Sequence, residues 1–112
     1  MSTATNLVHK KCVPCEGGIP PLGADERKRL LREIPGWEIV RDHHLSANFK
    51  FPNFVTALDL VNKVGALAEA EGHHPNIFLT WGKVGLEIWT HAIDNLTEND
   101  FVLAAKINAI PR

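Results

Sequence analysis

The sequence predicts an α+β fold: a two-layer domain of four antiparallel strands with three helices on one face, in the order α-β-β-α-β-β-α. Three observations predict it. Two stretches alternate apolar and polar residues, and each is broken by a short turn, as hairpins are. Three other stretches repeat apolar residues at helical spacing, with start and stop signals of their own. Paired hairpins exclude an all-parallel sheet, so the helices must cover one face of an antiparallel one.

The chain has 112 residues, a length that suits one domain, and 45% of them are hydrophobic, enough for a modest core. Twelve Lys and Arg stand against thirteen Asp and Glu, with no run of five like charges. That balance gives no footprint for nucleic acid or for an anionic membrane. No apolar run approaches the ~18 residues of a membrane span. The opening "MSTATNLVHKK" has no apolar core of the kind a secretory signal carries. The expectation is a soluble, cytoplasmic protein with a small-molecule ligand or a folded partner.

Residues 1–22 read as an irregular N-terminal arm, and 23–112 as the single folded domain. The arm holds the only cysteines, Cys12 and Cys15, in "KKCVPCEGG". A lone C-x-x-C is at most half a zinc site. Its Gly/Pro-rich flank "CEGGIPPLG" cannot open a helix, as a thioredoxin-like motif requires. Reduced thiols are the first reading. A zinc half-site completed elsewhere, or a redox role, are the others.

The first helix spans Ala24–Ile34, acids ahead of bases, and stops at Pro35-Gly36. In "GWEIVRDHHLSANFKF", a turn at Asp42-His43-His44 puts Trp37, Ile39, Leu45, Ala47, Phe49 and Phe51 on one face. His43 and His44 are then solvated turn residues. The longest helix runs from Asn53, its N-cap, to Glu71, with Gly72 as its stop. "IFLTW" and "VGLEIW" alternate about a Gly82-Lys83 turn, and "TENDFVLAAKINAI" is the last helix.

The second hairpin bears on function. With Gly82 and Lys83 as the loop, Trp81 faces Val84, Leu79 faces Leu86 and Ile77 faces Ile88, all toward the core. Phe78, Thr80, Gly85, Glu87 and Trp89 take the other face. The same register extended sets His74 opposite His91. Pro75 ends the ladder but holds His74 extended. Two imidazoles beside Trp89 and Phe78 suit a flat, hydrogen-bonding ring. Asp100 has two readings: the partner of Thr97 in a capping box, or a carboxylate that orients an imidazole. No phosphate-cradling loop, H-E-x-x-H or G-x-S-x-G is present. A metal on the three histidines stays open as a lesser reading.

Glu69, His73-His74-Pro75, Trp81, His91 and Asp100 stand at the spacing of a known pattern. In it an acidic residue is followed after three residues by H-H-P, after five more by an aromatic, after nine by His, and after eight or more by Asp. At these residues the chain resembles the pterin-4a-carbinolamine dehydratase family, which in animals is also a dimerization cofactor of a homeodomain transcription factor. The resemblance spans about residues 24 to 110, and the arm looks like that of longer bacterial and plant members. Asn95 stands where many members have Gly, and Asn accepts left-handed backbone nearly as well.

The resemblance implies dehydration of 4a-hydroxytetrahydrobiopterin to quinonoid dihydropterin, in recycling the cofactor of aromatic amino-acid hydroxylases, which are possible pathway partners. It implies no bound cofactor and no metal. It implies a homodimer joined through sheet edges, or a homotetramer through helices. It implies His73, His74 and His91 as catalytic residues, with Asp100 supporting; Glu69 of the matched pattern, and Trp89 and Phe78 of the sheet face, are taken as supporting or substrate-binding residues. Two imidazoles can divide the work of protonating a leaving hydroxyl and taking a proton from N5. His74 is the expected base, with His73 or His91 as acid. The alternative is a non-catalytic assembly or transcription-cofactor scaffold of the same fold. Such a branch should lose the histidines, and here all three stand.

Overall fold

A computed structural model describes residues 4–10, 12 and 20–111. Eight elements follow one another: α1 (Ala4–His9), α2 (Ala24–Leu31), β1 (Glu38–Val40), β2 (His44–Lys50), α3 (Phe54–Glu71), β3 (Asn76–Thr80), β4 (Lys83–Ile88) and α4 (Glu98–Asn108). The strands form one antiparallel sheet in the order β1-β2-β4-β3. The α+β architecture is therefore the one the alternation and helical spacing predict.

Alternation places Leu45, Ala47, Val84, Leu86 and Ile88 inward, all buried. Against them pack Leu60 and Val64 of α3, and Phe101, Leu103 and Ile107 of α4. Asn53 caps α3 by accepting the Thr56 N–H at 2.9 Å. Gly72 ends it at φ 67°, a left-handed conformation that glycine adopts without a Cβ clash.

Four expectations need correction. The arm is not wholly irregular, and the helices among the described residues number four rather than three. In α1, Leu7 is 1% exposed and joins the core, while Lys106 Nζ donates to the Val8 carbonyl at 2.8 Å. A single well-placed leucine with a matching cavity outweighs the weak local signal of a six-residue helix. Helix α2 stops at Leu31, because Pro35 disfavours helical backbone at the residue before it. Ile34 is buried nonetheless.

The first turn falls at residues 41–43, with Arg41 and Asp42 at φ 53° and 54°. His44 is thus a strand residue, paired with Val40. In the second hairpin the turn is Trp81-Gly82. Leu79 pairs with Val84 and Thr80 with Lys83, two residues away from the expected register. Gly82 makes this turn possible, since its carbonyl accepts the Phe51 N–H at 2.8 Å and a Cβ there would lie 2.9 Å from the Phe51 oxygen. A slip of two preserves every face, because side chains alternate with period two. Only Trp81 changes place, from core to an exposed turn.

Cys12 is anchored by its own N–H to Glu71 Oε1 at 2.9 Å and by its thiol to the Asn99 carbonyl at 3.6 Å. Cys15 and the flank that follows it lie outside the described residues. Burial, and then the Glu71 charge, push the Cys12 thiol up from 9.0 to about 12. The folded chain therefore holds this proton more tightly than the unfolded chain, and the thiolate is suppressed.

Two outcomes follow. Leu7→Ala should cost about 2–5 kcal/mol in denaturant unfolding, where an irregular arm would cost nothing. At pH near 9, where an unfolded thiol is half ionised, alkylation of Cys12 in the folded chain should be slower than in urea by on the order of 10²-fold or more. Peptide mass spectrometry reads this. The same shift makes stability fall as pH climbs from about 9 toward about 12.

Candidate active site

The site begins where α3 ends. Gly72 turns the chain, and Pro75 keeps His74 extended ahead of β3. Across from it, β4 ends at Ile88, and Thr90 bridges to Asn95 to close a tight loop carrying His91. Gly72, His73, His74, Trp89, Thr90, His91 and Ala92 line a hollow of about 210 Å³.

His74 and His91 are not directly opposed. The register ends at Asn76 against Glu87, and carried further it would set His74 opposite Trp89. The imidazoles meet because two loops turn toward one another, not because a ladder continues. Trp89 packs on His91 with ring centroids 4.5 Å apart.

Behind the hollow lies Asp100, fully buried. Its Oδ1 is 2.6 Å from His73 Nε2, and its Oδ2 accepts from the Thr97 N–H at 2.8 Å and the Thr90 hydroxyl at 2.9 Å. The Thr97 hydroxyl lies 2.8 Å from that of Thr90. Since Thr90 spends its proton on Asp100, Thr97 is the donor there. The two readings of Asp100 coexist: one oxygen caps α4 and the other faces an imidazole. An ionised carboxylate only accepts, so His73 carries a proton on Nε2 where it meets Asp100.

Glu69 is outside the lining. Its Oε2 lies 2.6 Å from His74 Nε2, but both side chains are largely exposed. Phe78 does not join the site; it lies beside Gly85, midway along the edge strand β3, and is 54% exposed. Trp81 is likewise remote, in the hairpin turn. Among the described residues, no group of three or more His, Cys, Asp or Glu is arranged to hold a metal ion, and no helix is long and apolar enough to cross a membrane.

Sequence reasoning missed two supports. Arg27 is 5% exposed and donates to the Leu22 carbonyl at 2.8 Å, the Asp42 carbonyl at 2.7 Å and Asn95 Oδ1 at 2.7 Å. Asn95 also caps its own loop through the Leu96 N–H. The left-handed residue of that loop is Asp94, at φ 51°, so Asn95 is there for its side chain and not for its backbone tolerance. The second support is His43 and His44, whose rings lie 5.2 and 5.8 Å from that of Trp89. Pairing β2 with β4 would have disclosed them, since that register leads His44 toward Trp89.

Fold and hollow together define an α+β domain whose antiparallel sheet ends in an imidazole-lined site. The profile of the pterin 4 alpha carbinolamine dehydratase family matches residues 20–110. The chain belongs to that family. It is 53% identical over 106 residues to a Rubrobacter xylanophilus protein named provisionally as a pterin-4-alpha-carbinolamine dehydratase, covering 95% of this chain and 99% of that one. A Rickettsia canadensis protein with the same provisional name is 55% identical over 106 residues, covering 94% and 97%. The crystal structure of a transcriptional coactivator/pterin dehydratase from Brucella melitensis superposes with a TM-score of 0.76 at 32% identity, over 80% of this chain and 97% of that one.

Asp100→Asn should cost about 1–3 kcal/mol, because an amide nitrogen must replace one charged acceptor in a buried network. It should also move the His73 proton from Nε2 to Nδ1 whenever the amide nitrogen faces the ring. Nitrogen-15 shifts of the imidazole report this directly.

Proposed function

We propose that this chain dehydrates a pterin-4a-carbinolamine, 4a-hydroxytetrahydrobiopterin in the first instance, to the quinonoid dihydropterin and water. The observation that carries the reading is the convergence of His73, His74 and His91 on one hollow, walled by Trp89 and backed by a buried carboxylate. In the reaction the C4a–O bond breaks and the leaving oxygen gains a proton to depart as water. N5 gives up its proton, and its electron pair forms the C4a=N5 double bond. A base at N5 and an acid at the 4a-oxygen suffice.

His74 is the proposed base. It sits at the rim with Glu69 on Nε2, which leaves Nδ1 for the substrate. The acid is His91, or His73 held by Asp100. Trp89 gives the ring a flat surface to lie against. The proposed setting is the cytoplasm, in recycling the hydroxylase cofactor. Self-association fits the exposed Phe54, Val55 and Leu58 of α3, and Phe78 and Trp81 at the β3 edge. The same surfaces support the second reading, a scaffold or transcription cofactor for another protein, in keeping with the Brucella relative being called a transcriptional coactivator.

Purified protein should accelerate the spectral decay of enzymatically generated 4a-carbinolamine, equally with and without chelator. No acceleration rejects the enzyme reading, and loss of rate with chelator favours a metal. His74→Ala and His91→Ala should each lose about 10²-fold or more in rate while keeping the native circular dichroism. A variant that keeps near-full rate removes its residue from the reaction.

A further inference from the structure

Trp89 also touches a second pair of imidazoles, which the dehydration does not use. His43 comes from the β1–β2 turn and His44 opens β2. Their Nδ1 atoms face one another at 3.1 Å. Behind each ring stands a carboxylate from another part of the chain. Asp94 Oδ1 lies 2.8 Å from His43 Nε2, and Glu87 Oε2 lies 3.7 Å from His44 Nε2.

Asp94 decides where one proton sits. A carboxylate only accepts, so the short contact to Asp94 places a proton on His43 Nε2 and leaves Nδ1 as an acceptor. Glu87, at 3.7 Å, is beyond hydrogen-bond reach of His44 Nε2, so His44 is free to donate its Nδ1–H to His43 Nδ1 across the 3.1 Å contact. A divalent ion that displaces this one proton gains both Nδ1 lone pairs. An imidazole held by a carboxylate on its outer nitrogen is the usual form of a metal-binding histidine, with tautomer fixed and basicity raised.

We propose that His43 and His44 form a metal-binding clip for one divalent transition ion of imidazole preference, Cu²⁺, Ni²⁺ or Zn²⁺. A metal ~2.1 Å from two donors 3.1 Å apart sees them at about 95°, near the right angle of cis ligands in square-planar or octahedral sites. The clip has two protein donors, so water completes the shell. His43 is 32% exposed and His44 14%, which gives an ion and its waters access. Protons compete for the same lone pairs, so binding weakens in acid. Neither His43 nor His44 lines the hollow, and the clip stands whether or not the chain is a dehydratase.

The test is a titration of the full, nitrogen-15-labelled chain with Ni²⁺ near neutral pH, followed by paramagnetic broadening. The amides of His43 and His44 and the Trp89 indole N–H should broaden first. His43→Gln and His44→Gln should abolish this while the remaining shifts stay native. Asp94→Asn, which keeps both imidazoles and suits the positive φ of that position, should weaken binding about 10–100-fold. His74→Gln should leave it unchanged. Broadening that starts at the His73–His74–His91 hollow or at the Cys12–Cys15 arm overturns the proposal. So does broadening at the clip that survives His44→Gln, or none at all.

Discussion

A charge with no exposure to water must be surrounded by donors, and Asp100 is such a charge. Its donors come from three places: the start of its own helix at Thr97, the end of β4 at Thr90, and the loop after α3 at His73. Those segments are joined to one another by this carboxylate. The helix N-terminus adds the favourable end of a dipole to the same site. The hollow's back wall is therefore held by a folding requirement. Stability and the orientation of His73 are a single demand on the sequence.

Arg27 imposes a parallel constraint on the front of the site. Its guanidinium binds the carbonyl of Asp42 in the first hairpin turn and the side chain of Asn95 in the loop that bears His91. A planar fork of donors suits this role, because it satisfies several acceptors in fixed directions. The turn with His43 and the loop with His91 cannot shift independently. Trp89 packs on imidazoles carried by each of them.

Much of this was legible in the residues because it rests on local rules. Asn53 and Gly72 bound α3 as caps do, and apolar alternation placed the sheet faces correctly even where the register slipped by two. The slip itself was not legible. Whether Trp81 or Lys83 enters a two-residue turn depends on a neighbour just past β2, the Phe51 amide, that no local pattern contains. The buried place of Leu7 and the reach of Arg27 across 68 residues to Asn95 are equally tertiary facts. His73, His74 and His91 do share one hollow, yet by loop curvature rather than by the straight ladder the spacing suggested. Asn95 shows the opposite error: backbone tolerance was credited to a residue whose side chain is what the fold uses.

The three tryptophans occupy three different surroundings. Trp37 is buried against Phe49, with its indole N–H bonded to Asn108, and Trp81 stands in solvent. Trp89 touches imidazoles of both histidine groups, His91 and the pair His43 and His44. Protonated imidazole is an efficient quencher of indole emission. The molecule thus carries a built-in optical gauge: one fluorophore whose brightness registers the charge state of both histidine groups, beside two that remain indifferent to it.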